Sequence, residues 1–523
     1  MAGDSFLSDP SKKRKRSGKV TSTTRKSTKT SKPTKSTTPD EDDIESESES
    51  EENENEISEN EDDELSSSDE FADENAADKR RRLAKQYLEN LKTNELAGEF
   101  NDFDAQDLDD DILSKRLQVD VAENKGYVYK FYGDKVSKQF DENISVITTR
   151  IGSKNMTGVS ARYPYLYTVS KDSELIKWNI STNKKPQRIK HTKGGARFFK
   201  LNTANPNNNH HWDQINCVAV SPDGKYVVTG GTDSRLIIWS SENLVCLKVL
   251  DTRSAVNSIT FKRNSDQLFA ACSDLKIRTF SINQFTQLEI LYGHQDNIVD
   301  ISALSRETCV SVGSRDKTAM FWKISEETRL TFRAGDSVEK KRRRDDVEAP
   351  EVFYNEGSLE VVSMLDESHF LTGSDNGNVA LWSLAKKKAL FTKRLTHGLQ
   401  PEIPYSKASS EASVEVASQQ IPPRQPYWIT AIHGVPFSDI FITGSFNGVV
   451  KIWKLDQQGL RSFELIGEIE DVKGCVVKIE SVEFPEAKKL MVFVLISKEP
   501  RFGRWLGKIE GGRNGLVSFS FDI

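Results

Sequence analysis

One unit recurs along the second two-thirds of the chain, and it limits the fold to very few choices. It is an apolar strand, a small-residue turn and a second strand that closes on an aromatic. "YLYTVSKDSELIKWNI" carries Trp178, "YVVTGGTDSRLIIWS" carries Trp239, and "LFAACSDLKIRTFSI" has Phe280 in that place. "CVSVGSRDKTAMFWKI", "FLTGSDNGNVALWSL" and "IFITGSFNGVVKIWKL" follow with Trp322, Trp382 and Trp453. The aromatics are 61, 41, 42, 60 and 71 residues apart. The two short spacings match the period of roughly 40–45 residues of a four-stranded propeller blade. The long ones are that period plus insertions, around 191–210, 334–357 and 396–426. A seventh, degenerate unit runs from Cys475 through "KKLMVFVLI" to "GLVSFSFDI". The expected fold is all-β, a seven-bladed propeller over 125–523, whose closure leaves few free sheet edges.

Within the units, polar residues keep fixed spacings. His211, Thr229, Asp233 and Trp239 form one set, with His211 22 residues before Asp233 and Trp239 six after it. His294, Asp316 and Trp322 repeat those intervals. The spacing matches a WD-repeat blade, where a turn Asp accepts from a loop His and a hydroxyl meets the indole N–H. Buried polar groups need such partners, since each one left unpaired costs about 1–3 kcal/mol. Counting four back from Asp316 reaches Val312, so the fourth blade is expected to lack the hydroxyl and to have a shorter network. Thr168, Asp172 and Trp178 form a partial set; Asn376 and Asn447, with Thr372 and Thr443, replace the Asp. A Ser/His/Asp triad or a His/Asp metal site is the catalytic alternative. Recurrence from blade to blade, with no hydroxyl assigned opposite His294, argues for fasteners instead. No nucleotide loop, zincin helix or nucleophile elbow occurs, so no enzyme activity, cofactor, metal or small-molecule substrate is expected. The five scattered cysteines read as reduced, buried small residues.

Charge divides the rest of the chain. Residues 12–35 hold 11 Lys/Arg and no acid, and residues 40–74 hold 20 Asp/Glu and no base. Residues 1–78 carry −12 of the net −6, which leaves +6 on 79–523. A segment so charged cannot bury enough apolar surface to offset its ordering entropy, so 1–78 is expected to be a disordered basic and acidic tail. A helical segment is expected over 79–124, from Asp78 as N-cap and the Leu83, Tyr87, Leu91 spacing. No apolar run approaches the roughly 20 residues of a membrane span. The N-terminus lacks the apolar stretch of a secretory signal. The clusters Lys12, Lys13, Arg14, Lys15, Arg16 and Lys79, Arg80, Arg81, Arg82 are candidate nuclear-import signals.

The fourth unit supports a narrower resemblance. Gly293–Asp296, Leu304–Glu307, Gly313–Asp316, Trp322–Ile324 and the Glu326–Glu327 pair resemble the WD-repeat protein of the U3 small nucleolar ribonucleoprotein, the fifty-five kilodalton protein of that particle in vertebrates. "RLQVDV" at 116–121 and the tail-then-propeller layout resemble that family too. The resemblance implies a nucleolar adaptor that binds the box B/C region of U3 small nucleolar RNA, beside the kink-turn-binding protein of box C/D particles. It implies other small-subunit processome proteins as partners, and early cleavages that release 18S rRNA. Candidate RNA contacts are Lys171, Arg235, Arg315, Lys317, Arg501, Arg504 and Arg513, with "KKRRR" at 340–344 in an insertion. A histone chaperone or chromatin adaptor is the competing reading, and a ubiquitin-ligase substrate receptor is a third.

Overall fold

The computed structural model describes residues 128–523 except 129, 142–143, 153–154, 182–184, 196–208, 336–356, 412, 458, 471, 485–487, 504–508 and 510. The expected tail, the 79–124 segment, both import clusters, "RLQVDV", "KKRRR" and Arg504 lie outside the described residues. Within them, seven four-stranded antiparallel sheets follow one another around a ring. The inner strands are Met156–Arg162, Ile215–Val220, Val256–Phe261, Ile298–Ala303, Leu359–Met364, Ile429–Gly434 and Cys475–Phe484, one per blade. Each packs on the inner strands of its two neighbours, so together they wall a central channel. Val and Ile are the commonest residues in these strands and suit a half-buried pleated surface.

The seventh blade is completed from the other end of the chain. Its first three strands end at Asp522, and its outermost strand is Ile147–Arg150, paired with Gly515–Ser518. This closure joins blade 7 to the chain that enters blade 1. Just upstream, helix α1 (Gly133–Asp141) is held on blade 6. Asp439 accepts the amides of Tyr132 and Gly133 at 2.8 and 3.0 Å, satisfying backbone donors that a helix start leaves open. Val136 on its buried face is fully covered, and Phe140 stacks on Phe521 at 6.4 Å.

Every inner strand has a register shift at its second residue: Thr157, Asn216, Asn257, Val299, Glu360, Thr430 and, one position later, Val477. Such a bulge re-aims one side chain. At four of the seven it points a donor at the next blade. Thr157 donates to the carbonyl of Ile215 at 2.6 Å, and Asn216 to Val256 at 3.0 Å. Asn257 donates to Ile298 at 2.7 Å, and Thr430 to Val476 at 2.5 Å. This ring of staples is interrupted at Val299 and Glu360, in neighbouring blades 4 and 5, and at Val477 in blade 7.

Candidate functional site

The turns between second and third strands all lie on one face of the ring, and the sequence-derived residues converge there. In blade 2, His211 Nδ1 lies 2.9 Å from Asp233 Oδ2, and His211 Nε2 lies 2.8 Å from Thr229 Oγ1. Trp239 Nε1 donates to the same hydroxyl at 2.8 Å. A neutral imidazole with its proton on Nδ1 satisfies every group. It donates to the carboxylate and accepts from the threonine, which accepts from the indole.

Blade 4 corrects the expectation of a missing hydroxyl. Ser311, not Val312, supplies it: Trp322 Nε1 and His294 Nε2 both lie 2.8 Å from Ser311 Oγ, and His294 Nδ1 lies 2.9 Å from Asp316. Cross-strand register explains the miscount. Trp239 faces Val227 and Trp322 faces Cys309, and the hydroxyl sits two residues beyond that partner in both blades. The blade 4 turn holds one more residue, and by this alignment that residue is Arg315. Ser234 and Lys317 then correspond, and both take the left-handed conformation, with φ 60° and 54°. Gly313 corresponds to Gly231, and a Cβ on either would collide with the turn carboxylate. Burial alone would raise the Asp316 carboxyl, but hydrogen bonds from His294 and the Thr318 amide outweigh it and hold it below the usual range.

The connectivity Ser311–His294–Asp316 is that of a hydrolase triad, and a hydroxyl does face His294, contrary to the expectation from sequence. Burial and occupancy separate it from one. Ser311 is 0% exposed, and its oxygen already receives the Trp322 indole. A substrate carbonyl has no approach to that oxygen, and blade 2 repeats the arrangement with threonine.

The remaining blades vary the device. Trp178, Trp382 and Trp453 donate to Thr168, Thr372 and Thr443 at 2.9 Å. In blade 3, Phe280 needs no acceptor and no His is present; Asp274 instead takes a two-pronged ion pair from Arg278, at 2.9 and 2.6 Å. Blade 6 holds a fastener that the sequence count missed: His397 Nε2 lies 3.0 Å from Thr443 Oγ1. His397 precedes Asn447 by 50 residues rather than 22, because the excursion 399–426 intervenes, closed by the Leu399–Pro426 bridge. The one signal available was the Thr-His-Gly sequence before the insertion.

The candidate RNA contacts divide. Arg315 and Arg513 are exposed, and Arg235 and Lys317 are half-buried, all on the turn face. Arg253 and Lys473, in connections on that same face, are exposed cations that the sequence reading omitted. Lys171 and Arg501 are corrections. The Lys171 side chain is 6% exposed and donates to the Pro500 carbonyl at 2.9 Å, beside Glu499. Arg501 reaches across the channel and donates to the carbonyls of Asn216 (3.2 Å) and Asn257. Burial lowers its guanidinium pKa, and Asp300 partly offsets the shift. Both cations brace blade 7 against the first three blades rather than standing free for a phosphate. Deeper in the channel, Lys478 meets Asp300 at 3.3 Å, and Asp300 also accepts from Ser258 at 2.7 Å.

The Leu304–Glu307 stretch lies at the opposite face, where it clasps three blades. Glu307 pairs with Lys262 of blade 3 at 3.1 Å. The amides of Ser305 and Arg306 donate to Glu367 of blade 5 at 2.8 and 3.0 Å. Of the five cysteines, four are buried and Cys246 is partly so, all unpaired. Burial pushes the Cys217 and Cys475 thiols up to about 12. Among the described residues no group of His, Cys, Asp and Glu is placed to hold a metal ion.

Comparison with known proteins follows the same geometry. The model of the WD domain, G-beta repeat, matches residues 205–240 and 285–323, the two blades with a complete His–hydroxyl–Asp–Trp set. Ribosomal RNA-processing protein 9 of Saccharomyces cerevisiae is 46% identical over 529 residues, covering 88% of this chain and 91% of that protein. U3 small nucleolar RNA-interacting protein 2 of Homo sapiens is 28% identical, over 85% of this chain and 82% of its own. Among solved structures, "Structure of U3-55K" aligns with TM-score 0.57 and 25% identity, covering 72% of this chain and 98% of that one. "Crystal structure of RRP9 WD40 repeats" aligns with TM-score 0.57 and 26% identity, covering 72% and 97%.

Proposed function

The chain belongs to the family of ribosomal RNA-processing protein 9, and from that premise we propose that it is a non-catalytic component of the U3 small nucleolar ribonucleoprotein acting in pre-rRNA processing. The observation that carries this reading is 46% identity sustained across 88% of the chain. In the finer reading, the propeller binds U3 small nucleolar RNA at its box B/C region, next to the kink-turn-binding protein. It works within the small-subunit processome of the nucleolus, in the cleavages leading to 18S rRNA. The turn face supports an RNA-facing role through its rim of exposed cations, Arg253, Arg315, Lys473 and Arg513. Such a rim can follow a phosphate backbone while releasing its counterions. Lys12–Arg16 and Lys79–Arg82 would serve nuclear import, and the domain bounds 1–78, 79–124 and 125–523 are part of the same proposal.

Crosslinking in cells followed by sequencing tests the reading. The expected result is reads concentrated on U3 RNA near box B/C. Histones co-purifying with the chain in the absence of RNA would overturn it in favour of a chromatin adaptor.

A further inference from the structure

The turn face has a rim and a centre of opposite character. At its centre the channel opens into a cavity of about 1250 Å³ lined by residues of blades 2 to 7. Among the described residues its lining holds three carboxylates, Asp296, Glu360 and Asp375, and one cation, Arg315, while the Arg501 guanidinium donates to the carbonyls of two lining residues, Asn216 and Asn257. Each carboxylate has one local hydrogen bond among the described residues. Asp296 accepts from the Arg315 amide at 2.9 Å, Asp375 from the Gly357 amide at 2.9 Å, and Glu360 from the Ser358 hydroxyl at 2.5 Å. Among the described residues none of the three forms an ion pair, whereas Asp274, Asp300, Glu307 and Glu483 around the ring each do.

Two further observations single out this cavity. The staple ring breaks in blades 4 and 5, and the residues there, Val299 and Glu360, both line it. A carboxylate cannot donate to the neighbouring carbonyl, so blade 5 gives up a structural bond at this place. Burial raises the Glu360 carboxyl to about 7, with Asp375 adding to the rise and the Ser358 hydroxyl and the Arg315 charge opposing it. Second, Asn216 lines the cavity and is 1% exposed, yet its Oδ1 has no hydrogen-bond partner among the described residues. Its amide orientation is settled, because Nδ2 must donate to the Val256 carbonyl. The orphan atom is therefore an acceptor. Unpaired carboxylates and an orphan acceptor call for the same ligand, a hydrogen-bond donor with positive charge; the Phe502 ring beside them already carries the Arg501 guanidinium at 4.5 Å.

We propose that the channel mouth between the blades is a receptor for an arginine or lysine side chain presented by an extended basic segment of a protein partner. RNA is excluded from the centre by the carboxylates, while the cationic rim remains open to it. The cavity thus assigns the two halves of one face to two kinds of partner, and the inference does not depend on the RNA reading.

The test uses the full-length chain and a fluorescent twelve-residue peptide of alternating arginine and glycine that carries a photo-crosslinker. The expected result is saturable binding that weakens at least tenfold in the Glu360→Gln, Asp375→Asn double variant. Crosslinks should map to the cavity, and heparin elution should hold or move later. Equal affinity for wild type and double variant would overturn the proposal. So would crosslinks confined to residues 40–74, or displacement by spermine as effective as by the unlabelled peptide. If the double variant does not fold, Asp296→Asn, which keeps an acceptor for the Arg315 amide, carries the same comparison.

Discussion

Blades 2 and 4 are built around the same four groups, yet only one of them displays an exposed cation at its turn. In blade 2 the hydroxyl, Asp and Trp follow at intervals that place every turn residue in the fastener or its backbone bonds. In blade 4 one extra residue, Arg315, is extruded while Ser311, His294, Asp316 and Trp322 keep their distances. The lesson is that a structural network anchored by cross-strand register tolerates an insertion in the turn. The inserted residue stays exposed and takes no part in the fastener. Its amide is tied to Asp296, so the side chain is displayed from a fixed backbone.

Four perturbations would break or sharpen this contrast. The largest effect is expected from removing the shared hydroxyl. Thr229→Ala and Ser311→Ala each leave the indole N–H and the imidazole nitrogen buried without a partner. Each should cost about 2–6 kcal/mol by denaturant unfolding, at about 1–3 kcal/mol per orphaned group. A cost in only one blade would show that the two networks are not equivalent.

Val312→Thr comes next. A count back from Asp316 says that it should complete the network and stabilise. The structure says that Val312 is 0% exposed in an apolar cluster, so the new hydroxyl should destabilise by about 1–3 kcal/mol.

The third effect is a pH dependence. The folded Asp316 carboxyl titrates below its ordinary 3.8. Its contribution is therefore fully present above the unfolded value and lost as pH falls through the folded one. The stability gap between wild type and Asp316→Asn should be widest near pH 7 and narrow below about pH 4, as read from urea midpoints across pH. A gap that widens in acid would reverse the assigned sign.

The smallest change in stability is expected at Arg315. Arg315→Ala should alter unfolding free energy by less than about 0.5 kcal/mol, as surface changes do. It should weaken RNA or heparin binding and reduce the salt slope by about one. Deleting Arg315, which restores the blade 2 turn length, should match the alanine variant in binding and stay close to it in stability. A deletion that unfolds the domain would show that the extra residue is part of the fastener.

Much of this molecule was legible in its sequence. The blade count and the pairs Thr168–Trp178, Thr229–Trp239, Thr372–Trp382 and Thr443–Trp453 follow from hairpins. There, ten intervening bonds of chain and one register fix the contact. The 22-residue His-to-Asp interval held wherever the connecting loop kept its length. It failed at His397, where an excursion sits inside the interval, and the four-residue hydroxyl count failed at Ser311, where the turn grew by one.

What the tertiary structure alone decided is which charged groups are free. Lys171, Arg501 and Arg315 are equivalent as cations in a string of letters. Two of them are consumed by carbonyls that ring closure brings from 329 and 285 residues away, and the third is held out over the channel mouth. Asn216, Val299 and Glu360 likewise share no motif, and only the bulge common to all seven inner strands puts them at equivalent places around one cavity. Local periodicity specifies hairpins because strand pairing is short-range in the chain. Burial, charge pairing and the cavity arise between blades far apart in sequence, so only the closed ring sets them.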